Sequence, residues 1–290
     1  ELVYISLNGY GADSPWAERR AYAPVVGAET GLTRSQGDAR GGVYANDRHS
    51  HADVYTALEA TVAVLAALNR RHATGTGQHV EVTMAQTMLY VNEHAHDALW
   101  DDPVPEGTIR SFGTGEYLVL RLGDGSDVIV SGHPAEAGTF EFFMRAIDRV
   151  DLIERNDLSD VAGRLRALPE IVDAIRSHAS TVPNTEAYEA ILSAHRLAVG
   201  RLRTVTDFAA TEWARDTGAV TEVSDRGGGS IRVPQSPWRF SEGPTGVTGE
   251  PRYRGEDNRR LLTAIGYSDA DIDRLEADGT LSSRIPEDAR

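Results

Sequence analysis

The apolar positions 2–7, LVYISL, are β-branched or bulky and stop at Asn8-Gly9. They predict a strand buried within a sheet whose neighbours come from elsewhere, either from chain before Glu1 or from a partner. Residues 17–32 predict a short helix interrupted by Pro24, and the polar, Gly-rich stretch 33–48 predicts a loop. From Asp53 to His72 the apolar positions nearly encircle a helix, which predicts a buried central element. TGTGQ at 74–78 stops that helix, alternation over 79–84 predicts a strand, and 85–100 predicts a second helix. Beyond the linker-like 101–108, residues 116–132 predict a hairpin turned at Asp-Gly, and 137–149 and parts of 168–215 predict helices. A second hairpin is expected over 218–234 around Gly227-Gly228-Gly229. Two short helices are expected over 258–279, the second capped at Ser268. There is no internal repeat.

Composition narrows the chemistry. The 290 residues suffice for two domains and carry a net charge of −15, which disfavours nucleic-acid binding. No apolar run reaches the roughly 20 residues of a membrane span, and the opening residues do not read as a signal peptide. Cysteine is absent, which excludes thiolate catalysis and disulfides and fits a reducing cytoplasm. All 29 basic residues are Arg, so Schiff-base chemistry and a P-loop are excluded.

HSHAD at 49–53 has the His49-x-His51-x-Asp53 spacing found in zinc hydrolases. Val54 stands where that signature continues with His, and residues 41–48 do not form the apolar strand that feeds it. His94 and His96 fall two apart on a predicted helix and do not share a face. No metal is therefore expected, since a catalytic zinc needs about three protein ligands. Asp53, immediately before the long apolar helix, suits an N-cap. The same surroundings suit a nucleophilic carboxylate, kept ionised and close to oxyanion donors.

From Asp53 onward, DVYTALEATVAVLAALNRRHATGTGQHVEVTM resembles the family III CoA-transferases, the group of formyl-CoA and carnitine-CoA transferases. In that family a catalytic Asp opens an Ala/Leu-rich helix, followed by Arg and TG-x-GQ-x-V-x-V. Here the corresponding residues are Asp53, Ala66-Ala67-Leu68, Arg71, Thr74-Gly75, Gly77-Gln78, Val80 and Val82. Segments 2–15, 20–32, 231–244 and 254–279 resemble further parts of the family in the same order, so the likeness covers nearly the whole chain. Ala23 and Ala57 depart from the acid and the Gly usual at those positions.

The resemblance implies an α/β fold with a Rossmann-like large domain, a smaller α+β domain and an interlocked dimer. Residues 1–100 and 235–290 would belong to the large domain and 108–225 to the small one. It implies CoA transfer from an acyl-CoA thioester to a carboxylic acid through aspartyl-anhydride and aspartyl-CoA intermediates. Asp53 would be the nucleophile, Tyr22 would line the site, and Gly113 and Gly115 would form a glycine-rich lid. No permanently bound cofactor is implied, because the CoA thioester is the substrate. An N-terminal portion carrying much of the CoA contact surface would stand before Glu1 or on another chain of a homodimer or hetero-oligomer.

Two other readings stay open. The α-methylacyl-CoA racemases of the family pair a His with the Asp, but that His would fall near Tyr22, and tyrosine with a pKa of about 10 is a poor base at neutral pH. A non-catalytic subunit of a split enzyme is the other.

Overall fold

The computed structural model describes residues 1–93, 95, 99, 112, 114–247 and 249–286. It is mixed α/β and packs as two compact units, Glu1–Gly200 and Arg201–Arg290.

The first unit opens with β1 (Val3–Asn8), α1 (Ala23–Glu29), α2 (Leu32–Ala39), α3 (His51–Thr74), β2 (Gln78–Thr83) and α4 (Met84–Tyr90). β1 and β2 pair in parallel, from Val3 opposite Gln78 to Asn8 opposite Thr83. Parallel neighbours need a crossover, and the 24-residue α3 supplies it, packing on both strands and on α1 and α4. Gly75 ends α3 in the left-handed region at φ 70°, donating its N–H to the Arg71 carbonyl.

Four sequence expectations change here. α1 starts at Ala23, with Pro24 in the first helical positions, where its missing N–H costs nothing; the proline begins the helix and does not interrupt one. Residues 32–39 form α2 instead of loop. This helix is polar, braced by the Arg34–Asp38 pair at 3.0 Å, and Gly37 lets the Tyr44 ring close onto it, since a Cβ there would overlap that ring. The third change is the start of the long helix. α3 begins at His51 behind Ser50, so Asp53 lies in its first turn and is not its N-cap.

Burial is the fourth. Only Ala52, Thr56, Ala60 and Ala67 of α3 are buried, and Val54, Leu58, Val62 and Leu65 are each more than half exposed. β1 likewise leaves Tyr4 and Leu7 exposed, as is Leu2 just before it. One sheet face and the small neighbouring helices do not provide enough surface to cover a helix that is apolar all round. By length and composition α3 could even cross a bilayer, contrary to the expectation from apolar runs. In this fold it is the crossover of a βαβ unit. Leu58→Ser is expected to change the stability of the single chain by less than about 0.5 kcal/mol, as a surface substitution does, and urea unfolding checks this.

The larger hydrophobic cluster lies further along the first unit. A three-stranded sheet in the order β3 (Val119–Arg121), β4 (Asp127–Val130), β5 (Val199–Arg201) carries it. β3 and β4 form the expected hairpin, with Gly125 of the Asp-Gly turn at φ 82°. Leu120, Val128 and Val130 pack with Phe140, Phe143 and Met144 of α5 (Thr139–Ala146) and with Ile171, Ile175, Tyr188 and Leu192 of the following helices.

In the second unit β6 (Val220–Ser224) and β7 (Ser230–Pro234) pair as the expected second hairpin. The Asp225 carboxylate holds its turn by accepting the N–H groups of Gly227 and Gly229, both at 2.8 Å. Ser268 caps the helix Asp269–Ala277 through the Asp271 N–H, as predicted.

Candidate active site at the start of the long helix

A parallel pair of strands gathers its loops and the N-terminus of its crossover helix beyond the carboxyl ends of the strands, where α/β folds hold ligands. Here those ends are Asn8 and Thr83. The loop after β1 is firmly held. Asn8 Nδ2 donates to Glu81 Oε1 at 2.6 Å, and the Ala12 N–H donates to the same oxygen at 2.8 Å. These bonds, the Ala12 N–H foremost, lower the pKa of Glu81. The Ala85 N–H closes the loop onto the Gly9 carbonyl, and a Cβ on Gly9 would overlap Ala21.

Asp53 is exposed in the first turn of α3, and its carboxylate makes no hydrogen bond or ion pair among the described residues. It lies in the first turn of a 24-residue helix, at the positive end of the helix dipole. Tyr22 is also exposed. It is the N-cap residue of α1, and its carbonyl accepts the Val26 N–H at 3.0 Å. Ala23, next to Tyr22, and Ala52, next to Asp53, are buried together with Val26 and Met88 in a second, smaller cluster. That packing brings the two predicted positions to one region. Gly115 lies in the short 3-10 turn Thr114–Glu116, and Gly113 lies outside the described residues.

Two cavities meet at His51. The larger, about 930 Å³, is lined by α2, by His51 and Tyr55 of α3, by Met88 and the residues after α4, and by Gly115 and Glu116. The smaller, about 190 Å³, is lined by Ala23, Pro24, Gly27 and the 46–51 segment.

Asp47 was not singled out by the sequence reading, yet it organises this segment. Its Oδ1 accepts the His49 N–H at 2.9 Å, and its Oδ2 accepts Gln36 Nε2 of α2 at 2.8 Å and lies 3.2 Å from His51 Nε2. These partners, the His49 N–H first and Gln36 next, hold Asp47 down at about 2. Because the folded pKa is depressed, the stabilisation is complete above the unfolded value near 3.8 and is lost as pH falls through about 2. The signal for this residue was an Asx turn, a carboxylate bonding the N–H two residues on, with His51 four positions later.

His49 and His51 stand 5.8 Å apart between ring centroids, and His51 stacks on Tyr55 at 5.5 Å. Among the described residues no three His, Asp or Glu side chains gather in a way that could hold a metal ion, and His94 and His96 lie outside those residues. The carboxylate, imidazole, amide and backbone groups gathered here suit nucleophilic chemistry at a carboxylate.

Comparison with known proteins bears on that chemistry. Residues 1–258 match the sequence model of CoA-transferase family III. Formyl-CoA:oxalate CoA-transferase of Streptomyces avermitilis is 26% identical over 302 residues, covering 97% of this chain and 71% of that protein. A probable fatty acyl-CoA transferase of Mycobacterium tuberculosis is 26% identical over 275 residues, covering 90% and 68%. Its crystal structure superposes with a TM-score of 0.70 at 21% identity, covering 89% of this chain and 68% of that one. A CaiB/BaiF family protein from Brucella suis superposes at 0.69 with 20% identity, covering 91% and 68%, and both likenesses speak to the fold. With nine-tenths of its length on the family model and that fold, the chain belongs to CoA-transferase family III and is a CoA-transferase.

Proposed function

We propose that this enzyme transfers CoA from an acyl-CoA to a carboxylic acid through covalent intermediates on Asp53. The observation that carries this reading is the exposed carboxylate of Asp53 in the first turn of a 24-residue helix, without a hydrogen bond or ion pair among the described residues. Asp53 attacks the thioester carbonyl, the C–S bond breaks, and CoA leaves as the thiolate with an acyl-aspartyl anhydride behind it. The thiolate then attacks the aspartyl carbonyl of that anhydride, releasing the donor acid and leaving aspartyl-CoA. The acceptor carboxylate attacks this thioester, expelling the thiolate and forming a new anhydride. Attack of the thiolate on the acceptor's acyl carbon gives the product thioester and restores Asp53. Each step needs an ionised carboxylate, donors for the oxyanion and exclusion of water. Tyr22 and Gly115 are assigned to the walls of the site.

The working form is proposed to be an oligomer, in which a second chain or further chain segment covers the apolar stripe Val54, Leu58, Val62 and Leu65 of α3. Incubating the protein with formyl-, acetyl- and succinyl-CoA and trapping with hydroxylamine is expected to mark the Asp53 peptide as a hydroxamate, read by mass spectrometry. Label on other carboxylates, or on none, would rule the mechanism out.

A further inference from the structure

Asp53 could serve α3 in a second way. A helix begun one turn later would have Asp53 as its N-cap, with the carboxylate accepting the N–H of Tyr55 or Thr56, the arrangement that aspartate favours. Such a cap would occupy the oxygens the reaction needs. The observed helix starts earlier, yet its own N-cap, Ser50, makes no side-chain capping bond. Local capping therefore does not account for the longer helix.

Contacts outside the helix do. Asp47 reaches His51, the first helical residue, at 3.2 Å, and is itself tied to Gln36 of α2 at 2.8 Å and to the His49 N–H at 2.9 Å. The His51 ring lies on Tyr55, one turn on, with an interplanar angle of 16°. Ala52 is then buried between the elements. Gln36, Asp47 and His51 thus fasten the first turn of α3 to α2.

We infer that Asp47, acting through His51, sets where α3 begins and so keeps the Asp53 carboxylate free for reaction. Asp47 and His51 are positioning residues, and the inference rests on the nucleophile reading above. Without the Asp47 contacts the first turn unwinds to Asp53, and the carboxylate turns inward to cap the shortened helix.

The test uses the full chain, isotopically labelled, as wild type, Asp47→Ala and His51→Gln, the last keeping an amide donor toward Asp47. In Asp47→Ala the ¹³Cα shifts of His51 and Ala52 are expected to lose their helical values. Acylation of Asp53 is expected to slow by about 100-fold, the scale of a misplacement near 1 Å, with the KM for acyl-CoA little changed. His51→Gln is expected to stay close to wild type in both respects. Helical shifts retained in Asp47→Ala overturn the inference, as does a wild-type rate despite their loss. Global unfolding of Asp47→Ala is recognised from circular dichroism, and His51→Ala with the same two readouts then decides. If wild type shows no label at Asp53, the nucleophile reading falls, while the shifts still decide whether Asp47 sets the helix start.

Discussion

Asp53→Asn is expected to fold like wild type and to transfer no measurable CoA. Asparagine has nearly the shape of aspartate, but its neutral amide does not attack a thioester. Removing a covalent nucleophile costs roughly 10⁴-fold or more in turnover. The stability cost is small, because Asp53 is exposed and its carboxylate bonds nothing among the described residues. Only its interaction with the helix dipole is lost, about 0.3–1 kcal/mol at an exposed site. A chromatographic assay of CoA transfer together with a thermal melt checks both halves. Wild-type-like turnover would refute the mechanism. A large fall in stability would show that Asp53 carries structural weight that the observed helix start does not assign to it.

The second large effect concerns stability. Phe143→Ala is expected to destabilise the chain by about 3–5 kcal/mol, the range for an aromatic-to-alanine truncation in a core. Phe143 is fully buried on α5 in the larger cluster. Phe143→Leu, which fills more of the space, is expected to cost less. Urea unfolding followed by circular dichroism at 222 nm measures both. A cost for Phe143→Ala near that of Leu58→Ser would mean that this cluster does not hold the first unit together. The contrast matters because hydrophobicity alone ranks the two sites wrongly. α3 is the more conspicuous apolar helix in the sequence, yet the larger core lies elsewhere.

The legible parts of this molecule are those whose cause is local. LVYISL, the Gly75 stop and the alternation of 79–84 specify β1, the end of α3 and β2, because strand alternation and left-handed glycine act over a few residues. The two hairpins follow from Asp124-Gly125 and from the glycines at 227–229, and the last helix from its Ser268 cap. The order of motifs from Asp53 to Val82 is likewise a linear property, and the family match is in keeping with it.

The remainder depends on partners distant in sequence. The helix α2 is hidden in a polar, Gly-containing stretch because it packs through its first residue, Leu32, and through Tyr44, which closes onto Gly37 from beyond its end. Pro24 reads as a breaker until the position of the helix start is known, since the same ring that ends one helix begins another. Asp53 reads as a cap from sequence, because capping rules see only the nearest residues. The helix start was moved by Gln36 and Asp47, brought to His51 by the packing of α2 against the loop. By itself the sequence determined the family, β1, β2, the two hairpins and the candidate nucleophile. Tertiary structure alone decided that this carboxylate lies exposed in the first turn of α3, because only folding sets Asp47 against His51.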